Sequence, residues 1–331
     1  MNPSVTLAVL VGAAVVYGFL NGYKDAASIT ATVISSRAMS PRHGLAVVGI
    51  CEFCGPFLFG MAVATALGQG LITEAAVTPA VLLAALGAAI TWSVCMVLLG
   101  LPASSTHSLI GGLIGAAWAG AGPQAVYWGG VLRVLAFLFL SPVLGAGLGY
   151  PALRVILFFL QGATPGINLR FKQWQVFTTS TLALSQGSND AQKSIGMIAL
   201  ALLATGQTTT FQIPLWAVGL GAGALALGAF MGGERVIRTV GGKIYRIRPV
   251  HAFAAQAAST VIVLGSGLLG GPVSTTQVVS SAVIGVGSAQ RPSAVHWGTV
   301  RRIALAWLVT LPATAFLAAL LWQALSRLMV M

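Results

Sequence analysis

Five acidic side chains occur among 331 residues, and three of them, Asp25, Glu52 and Asp190, fall inside apolar stretches. Asp25 stands beside Lys24 in NGYKDAAS, directly after the apolar run VTLAVLVGAAVVYGFL. Asp190 stands beside Asn189 and three residues before Lys193 in LSQGSNDAQKS. An ammonium held away from water attracts an anion, and a carboxylate held there takes a sodium ion or a proton. The alternative for Lys24 and Asp25 is a local ion pair that only neutralises both charges. Two other segments, GLPASSTHSLIGG and GGPVSTTQVVSS, set proline and a run of hydroxyls before a small-residue helix. Proline suits the first turn of a helix and Ser or Thr its cap. The free amides and positive dipole end there suit an anion. Ser104, Ser105, Thr106, Ser274, Thr275 and Thr276 add donors. Ordinary capping explains either segment alone; two matched copies point to one anion site, flanked by Asn21, Lys24, Asp25, Asn189, Asp190 and Lys193. Asp25, Asp190 and Glu52 are the candidates for holding a cation or proton. Arg133 and Arg302, each five residues after a tryptophan, line the same region or snorkel to an interface.

The elements that must position these groups are membrane helices. Hydrophobic residues make up 57% of the chain and charged residues 7%, against about 25% charged in a soluble domain. Apolar stretches over 44–68, 79–99, 213–231, 252–269 and 303–325 approach the roughly 20 residues that cross a bilayer core as a helix. Short segments alternating apolar and polar residues, the mark of a β-barrel, are absent. The expected class is an all-α polytopic protein, multi-pass in the cytoplasmic membrane of a prokaryote with the lipid bilayer as its medium. A net charge of +12 would suit nucleic acid, but most Lys and Arg sit in a few short loops. That is the distribution of cytoplasmic loops, and no nucleic-acid partner is expected. The first apolar run lacks a basic leader and a small-residue cleavage site and reads as a retained helix. Cys51 and Cys54, one turn apart, read as packing residues.

The chain repeats itself. GYKDAAS from Gly22 matches GSNDAQKS from Gly187, LPASSTHSLIGGLIGA from Leu101 matches GPVSTTQVVSSAVIGV from Gly271, and WGGVLR from Trp128 matches WGTVRR from Trp297, at offsets of 165, 170 and 169. Two halves follow, 1–161 and 162–331. Their loops carry opposite charge patterns: the Arg37, Arg42 and His43 loop is basic and its counterpart LLATGQTTTFQ uncharged, whereas GQGLITEAAVT has no basic residue and its counterpart, within 232–249, is the most basic stretch of the chain. By the positive-inside rule the halves are inverted, as in many secondary transporters. The N-terminus and the Glu74 loop then lie outside, and the Arg37 and 232–249 loops in the cytoplasm. Each half is expected to hold about five membrane segments, two of them interrupted. One interruption is expected at Asn21–Gly22 and its counterpart at Gly187–Ser188, because glycine lowers helix stability by about 1 kcal/mol relative to alanine.

GSNDAQKS, GYKDAAS, TATVISSRAM, EFCG, LPASSTHSLIG, RVIRTVG and PVSTTQ together resemble the PiT family of inorganic phosphate transporters over nearly the whole chain. The resemblance implies an inverted-repeat fold with broken and re-entrant helices, a central phosphate site, a homodimer and cation-coupled symport without a resident cofactor. Lys24 stands where the family's signature has asparagine, Ser28 replaces its next asparagine, and Gln277 stands where the second proline motif usually has histidine. A fixed ammonium at Lys24 repels sodium at Asp25, and the first half resembles the bacterial proton-coupled branch. The expectation is therefore protons rather than sodium. In that branch a divalent metal can travel with phosphate as a neutral complex. Sodium-coupled phosphate symport and sulfate permeation are the alternatives within the family. A phosphatase using Ser105, Thr106 and His107 is disfavoured because Gln277 replaces the base in the second copy. A channel is disfavoured because inverted halves suit alternating access.

Overall fold

The computed structural model describes residues 2–164 and 166–330. Twelve α-helices account for most of them: α1 (Pro3–Ser35), α2 (Pro41–Leu58), α3 (Ala62–Gly70), α4 (Pro79–Leu99), α5 (Ser105–Ala121), α6 (Trp128–Phe159), α7 (Ile167–Ala204), α8 (Leu215–Met231), α9 (Glu234–Arg238), α10 (Pro249–Leu268), α11 (Thr275–Gln290) and α12 (Trp297–Val330). No β-strand occurs among the described residues; Ile72 and Val126 form an isolated bridge. The order of elements recurs. A long helix (α1, α7) is followed by a helix and a short continuation (α2 and α3, α8 and α9), a span (α4, α10), a short helix (α5, α11) and a long proline-containing helix (α6, α12).

Local chemistry sets the boundaries. Asn2, Ser40 and Thr78 cap α1, α2 and α4, each with proline in the first turn. Gly100 (φ 65°) and Gly270 (φ 69°) adopt the left-handed conformation that ends α4 and α10. Among the described residues five helices are long and apolar enough to cross a membrane, and up to seven spans result if each of two bent pairs counts as one. The bent pairs are α2 with α3, at 72°, and α8 with α9 and its π-helical continuation Thr239–Lys243, at 61°. Large apolar side chains such as Leu98, Phe159, Phe177, Leu215 and Phe316 remain exposed, as a lipid-facing surface requires.

Helices of the first half pair mainly with helices of the second: α1 with α8, α2 with α7, α5 with α12 and α6 with α11. The pairs are close. An added Cβ at Gly22 would lie 1.9 Å from Leu225 O, and one at Gly228 2.0 Å from Phe19 O. At the second crossing, an added Cβ at Gly55 would lie 2.3 Å from Leu184 O, and one at Gly187 2.3 Å from Glu52 O.

These crossings correct one expectation. Helices α1 and α7 run unbroken through Asn21–Gly22 and Gly187–Ser188. Glycine there admits a neighbouring backbone rather than interrupting its own, since packing outweighs a propensity penalty of about 1 kcal/mol. The interruptions lie elsewhere: at Gly60 (φ 76°) between α2 and α3, at Gly232 (φ 59°) between α8 and α9, and in the extended stretches 101–104 and 271–274 before α5 and α11. Pro102 and Pro272 belong to those extended stretches, ahead of the caps rather than inside the first turn.

Candidate functional site

Because α1 is continuous, Tyr17, Asn21, Lys24, Asp25 and Ser28 recur at three- to four-residue spacing and share one side of the helix. Gln186, Asn189, Asp190 and Lys193 do the same on α7. All nine are buried. The N-termini of α5 and α11 meet these two stripes.

Asp25 Oδ2 accepts a hydrogen bond from Ser105 Oγ, and Asp25 Oδ1 accepts one from Thr276 Oγ1 at 2.5 Å. Lys24 Nζ lies 3.8 Å from Asp25 Oδ1. Asp190 Oδ2 accepts from Thr275 Oγ1 at 2.8 Å, and Asp190 Oδ1 accepts from Lys193 Nζ at 2.5 Å. Asn21 Nδ2 donates to the Asp190 carbonyl at 3.2 Å, joining the two stripes. Asn189 Nδ2 donates to Gly271 O at 3.5 Å, tying α7 to the extended stretch before α11. Each carboxylate thus receives a hydroxyl from the first turn of a short helix and faces an ammonium. Two lysines and two aspartates balance in charge, so an anion entering among them needs an accompanying positive charge.

The six hydroxyls of the proline segments divide. Ser105, Thr275 and Thr276 reach the carboxylates. Ser104 and Ser274 cap their helices, accepting from His107 N at 3.1 Å and Gln277 N at 3.4 Å. Thr106 Oγ1 donates to Val273 O at 3.0 Å and links the first turn of α5 to the extended stretch before α11. Glu52 lies on α2 at its crossing with α7, where Glu52 Oε1 accepts from Gln186 Nε2, one turn before Asp190, at 2.9 Å. Arg133 lines a cavity of about 490 Å³ beside α3, Gly270 and Pro272.

Two contributors lie outside the sequence expectation. Tyr17 OH donates to Ser105 O at 3.0 Å from a fully buried position. Its signal was the spacing from Tyr17 through Asn21 to Asp25, hidden by the expected break. His107 is buried against Phe139, and neither ring nitrogen has a partner among the described residues. Asn21 Oδ1, Asn189 Oδ1, Glu52 Oε2 and Gln277 Oε1 are likewise buried without a donor. Such groups cost free energy unless something meets them. A protonated oxyanion or a cation supplies what carbonyl and carboxylate oxygens lack.

The sequence pattern of the Phosphate transporter family matches residues 21–165 and 161–318. A probable low-affinity inorganic phosphate transporter of Rhizobium meliloti is 38% identical over 317 residues, covering 95% of each chain. A protein of the same description from Bacillus subtilis is 36% identical over 324 residues, 95% of this chain and 96% of that one. Among solved structures, one described as the sodium-dependent phosphate transporter superposes with a TM-score of 0.88 at 24% identity, over 98% of this chain and 99% of the other, which establishes a common fold. On its sequence the chain belongs to the phosphate transporter family, and it is a multi-pass membrane transporter rather than an enzyme.

Proposed function

We propose that the chain is a symporter that carries inorganic phosphate across the cytoplasmic membrane, with protons as the coupling ion. The observation that carries the reading is the matched pair of buried carboxylates, Asp25 and Asp190, each bonded to a hydroxyl at the start of a short helix and each facing a lysine. Lys24 and Lys193 attract the anion. The hydroxyls of Ser105, Thr275 and Thr276, with the helix ends behind them, turn to it as the carboxylates take up protons. Phosphate near neutral pH keeps a proton and donates to a carboxylate or to Asn21 Oδ1 and Asn189 Oδ1; sulfate cannot. Asp190, Asp25 and Glu52 are the proton carriers in this reading. A divalent metal accompanies phosphate as cargo where the substrate is a neutral complex, and the working unit is a homodimer.

The halves 1–161 and 162–331 are read as inverted. In support, the end of α1 at Ser35 packs on Gly241, so the Arg37 loop and the basic 232–249 loop share one face, whereas uncharged Phe211 packs on Gly68. The N-terminus then lies outside, and the shared basic face is cytoplasmic.

Protons rather than sodium follow from the lysines. Two like charges about 4 Å apart in a medium of effective dielectric near 20 repel by roughly 4 kcal/mol. Sodium coupling is the second reading, favoured by the donor-free oxygens of Asn21, Asn189 and Glu52. Reconstituted protein in sodium-free buffer with an inward proton gradient is expected to accumulate radiolabelled phosphate, with little competition from sulfate, and Lys24→Asn to weaken it. Accumulation only when sodium is present would reverse the assignment.

A smaller effect tests the donors. Ser105→Ala or Thr275→Ala removes one hydrogen bond, worth about 1 kcal/mol or more, so the apparent KM for phosphate is expected to rise roughly five-fold or more. An unchanged KM in both variants would remove these hydroxyls from the site.

A further inference from the structure

We propose that the cavity between the end of α1 and the start of α10 is a second anion site, distinct from the Asp25–Asp190 cluster, that takes a phosphate-bearing anion. The cavity measures about 620 Å³ and is lined by Ser35, Ser36, Arg37, Arg246, Arg248 and His296, among others. That volume lies within the range of small-ligand pockets.

Charge is the first argument. Arg37, Arg246 and Arg248 line this cavity, all three exposed, and none of their guanidinium groups has a hydrogen-bond or carboxylate partner among the described residues. The described ion pairs are Lys24–Asp25, Lys193–Asp190 and Arg238–Glu234, and no acid lines the cavity. Basic loops on one membrane face require only a count of positive charges. They do not require three unpaired guanidiniums around one concavity, an arrangement whose forked donors match phosphate oxygens.

Backbone conformation is the second argument. Arg37 has φ 56°, the one positive φ outside glycine among the described residues. It follows the cap residue Ser36, with Arg37 N bonded to Ile34 O and Ala38 N to Val33 O. This is the Schellman helix end, whose left-handed position ordinarily falls to glycine. Every other positive φ among the described residues is a glycine. Holding an arginine in that conformation opposes a steric preference, and such strain concentrates at ligand sites. The strained residue is also the one that brings α1's end into the basic cavity.

The site is separate from the central cluster. Ser35 lies ten residues beyond Asp25 on α1, roughly 15 Å along the helix. Between them Gly241 packs on α1 at Ala31 and Ser35. Phosphate at such a cavity comes either as the free inorganic ion or as the headgroup of an anionic lipid.

The test uses Arg37→Gly, which suits the left-handed turn and so preserves the fold, together with the double variant R246A/R248A. Full-length protein in detergent is titrated with radiolabelled inorganic phosphate, in the wild-type and Asp190→Asn backgrounds. In parallel, retention of phosphatidylglycerol against phosphatidylcholine is measured by native mass spectrometry. If the anion is free phosphate, the binding that survives Asp190→Asn falls ten-fold or more in affinity in both arginine variants. If it is a lipid headgroup, both variants lose phosphatidylglycerol selectively while phosphate binding stays as it was. Melting temperature is expected to hold or rise in Arg37→Gly. Phosphate binding and lipid retention both unchanged in the two variants would overturn the proposal. Because the comparison is made on either side of Asp190→Asn, failure of the central site is read separately.

Discussion

Phosphate uptake by proteoliposomes is expected to fall to the level of protein-free vesicles when Asp190 is replaced by asparagine. The carboxylate accepts from Thr275 through one oxygen and from Lys193 through the other, and neither Asp190 nor Lys193 reaches solvent. The amide removes the negative charge and sets a donor against one of these partners. Breaking one side of a buried pair costs about 3–5 kcal/mol, because the remaining charge is uncompensated. That energy far exceeds the roughly 1 kcal/mol assigned to a single hydroxyl. The double variant Asp190→Asn with Lys193→Gln removes the stranded ammonium and serves as the control for folding. It should recover the melting temperature and gel-filtration profile without recovering uptake. Uptake at the wild-type rate in folded Asp190→Asn would exclude Asp190 from coupling.

Gly187→Leu is expected to abolish recovery of folded transporter, whereas Gly219→Leu is expected to leave it unchanged. A Cβ at Gly187 falls 2.3 Å from Glu52 O and 2.4 Å from Glu52 Cα, whereas one at Gly219 meets nothing within 4 Å. Even one methyl overpacked into such a contact costs about 1–3 kcal/mol, and leucine adds three more carbons at the same crossing. Both residues lie inside helices, Gly187 in α7 and Gly219 in α8, so propensity predicts the same modest change for each. Fluorescence-detected gel filtration and a thermal melt distinguish the two, and a monodisperse Gly187→Leu protein melting like wild type would refute the close crossing.

The helical class was legible because its signal is local. The apolar stretch 79–99 coincides with α4, proline at its start and Gly100 after its end. The Ser104 and Ser274 caps were legible for the same reason. The proline segments and the two acid motifs could be paired by their common offset, and three of the six hydroxyls do meet the carboxylates. What was not legible depends on partners distant in the chain. Thr276 of the second half bonds Asp25 of the first across 251 positions, and nothing near either residue announces it. Gly22 and Gly187 show the ambiguity most sharply. Glycine signals both a weak helix and a close approach, and only the neighbouring helix decides which applies. Choosing the break also concealed the stripe from Tyr17 to Ser28, whose period is visible only if α1 continues.

The pairing of α5 with α12 also bears on how the protein is made. Gly111 and Gly115 of α5 lie against Leu311 and Ala315 of α12, and Trp307 Nε1 bonds Pro102 O just ahead of α5. Helix α5 ends at Ala121, and α12 begins at Trp297. At about 5–20 residues per second, a ribosome needs on the order of ten to thirty seconds to reach that partner. Throughout the interval the glycine face of α5 and the Pro102 carbonyl have no α12 to close them. Closure of α5 therefore waits for α12, and a nascent chain released before Trp297 lacks the surface on which the glycine face of α5 packs. Separately expressed halves, by contrast, carry complementary faces and are suited to find one another in the bilayer.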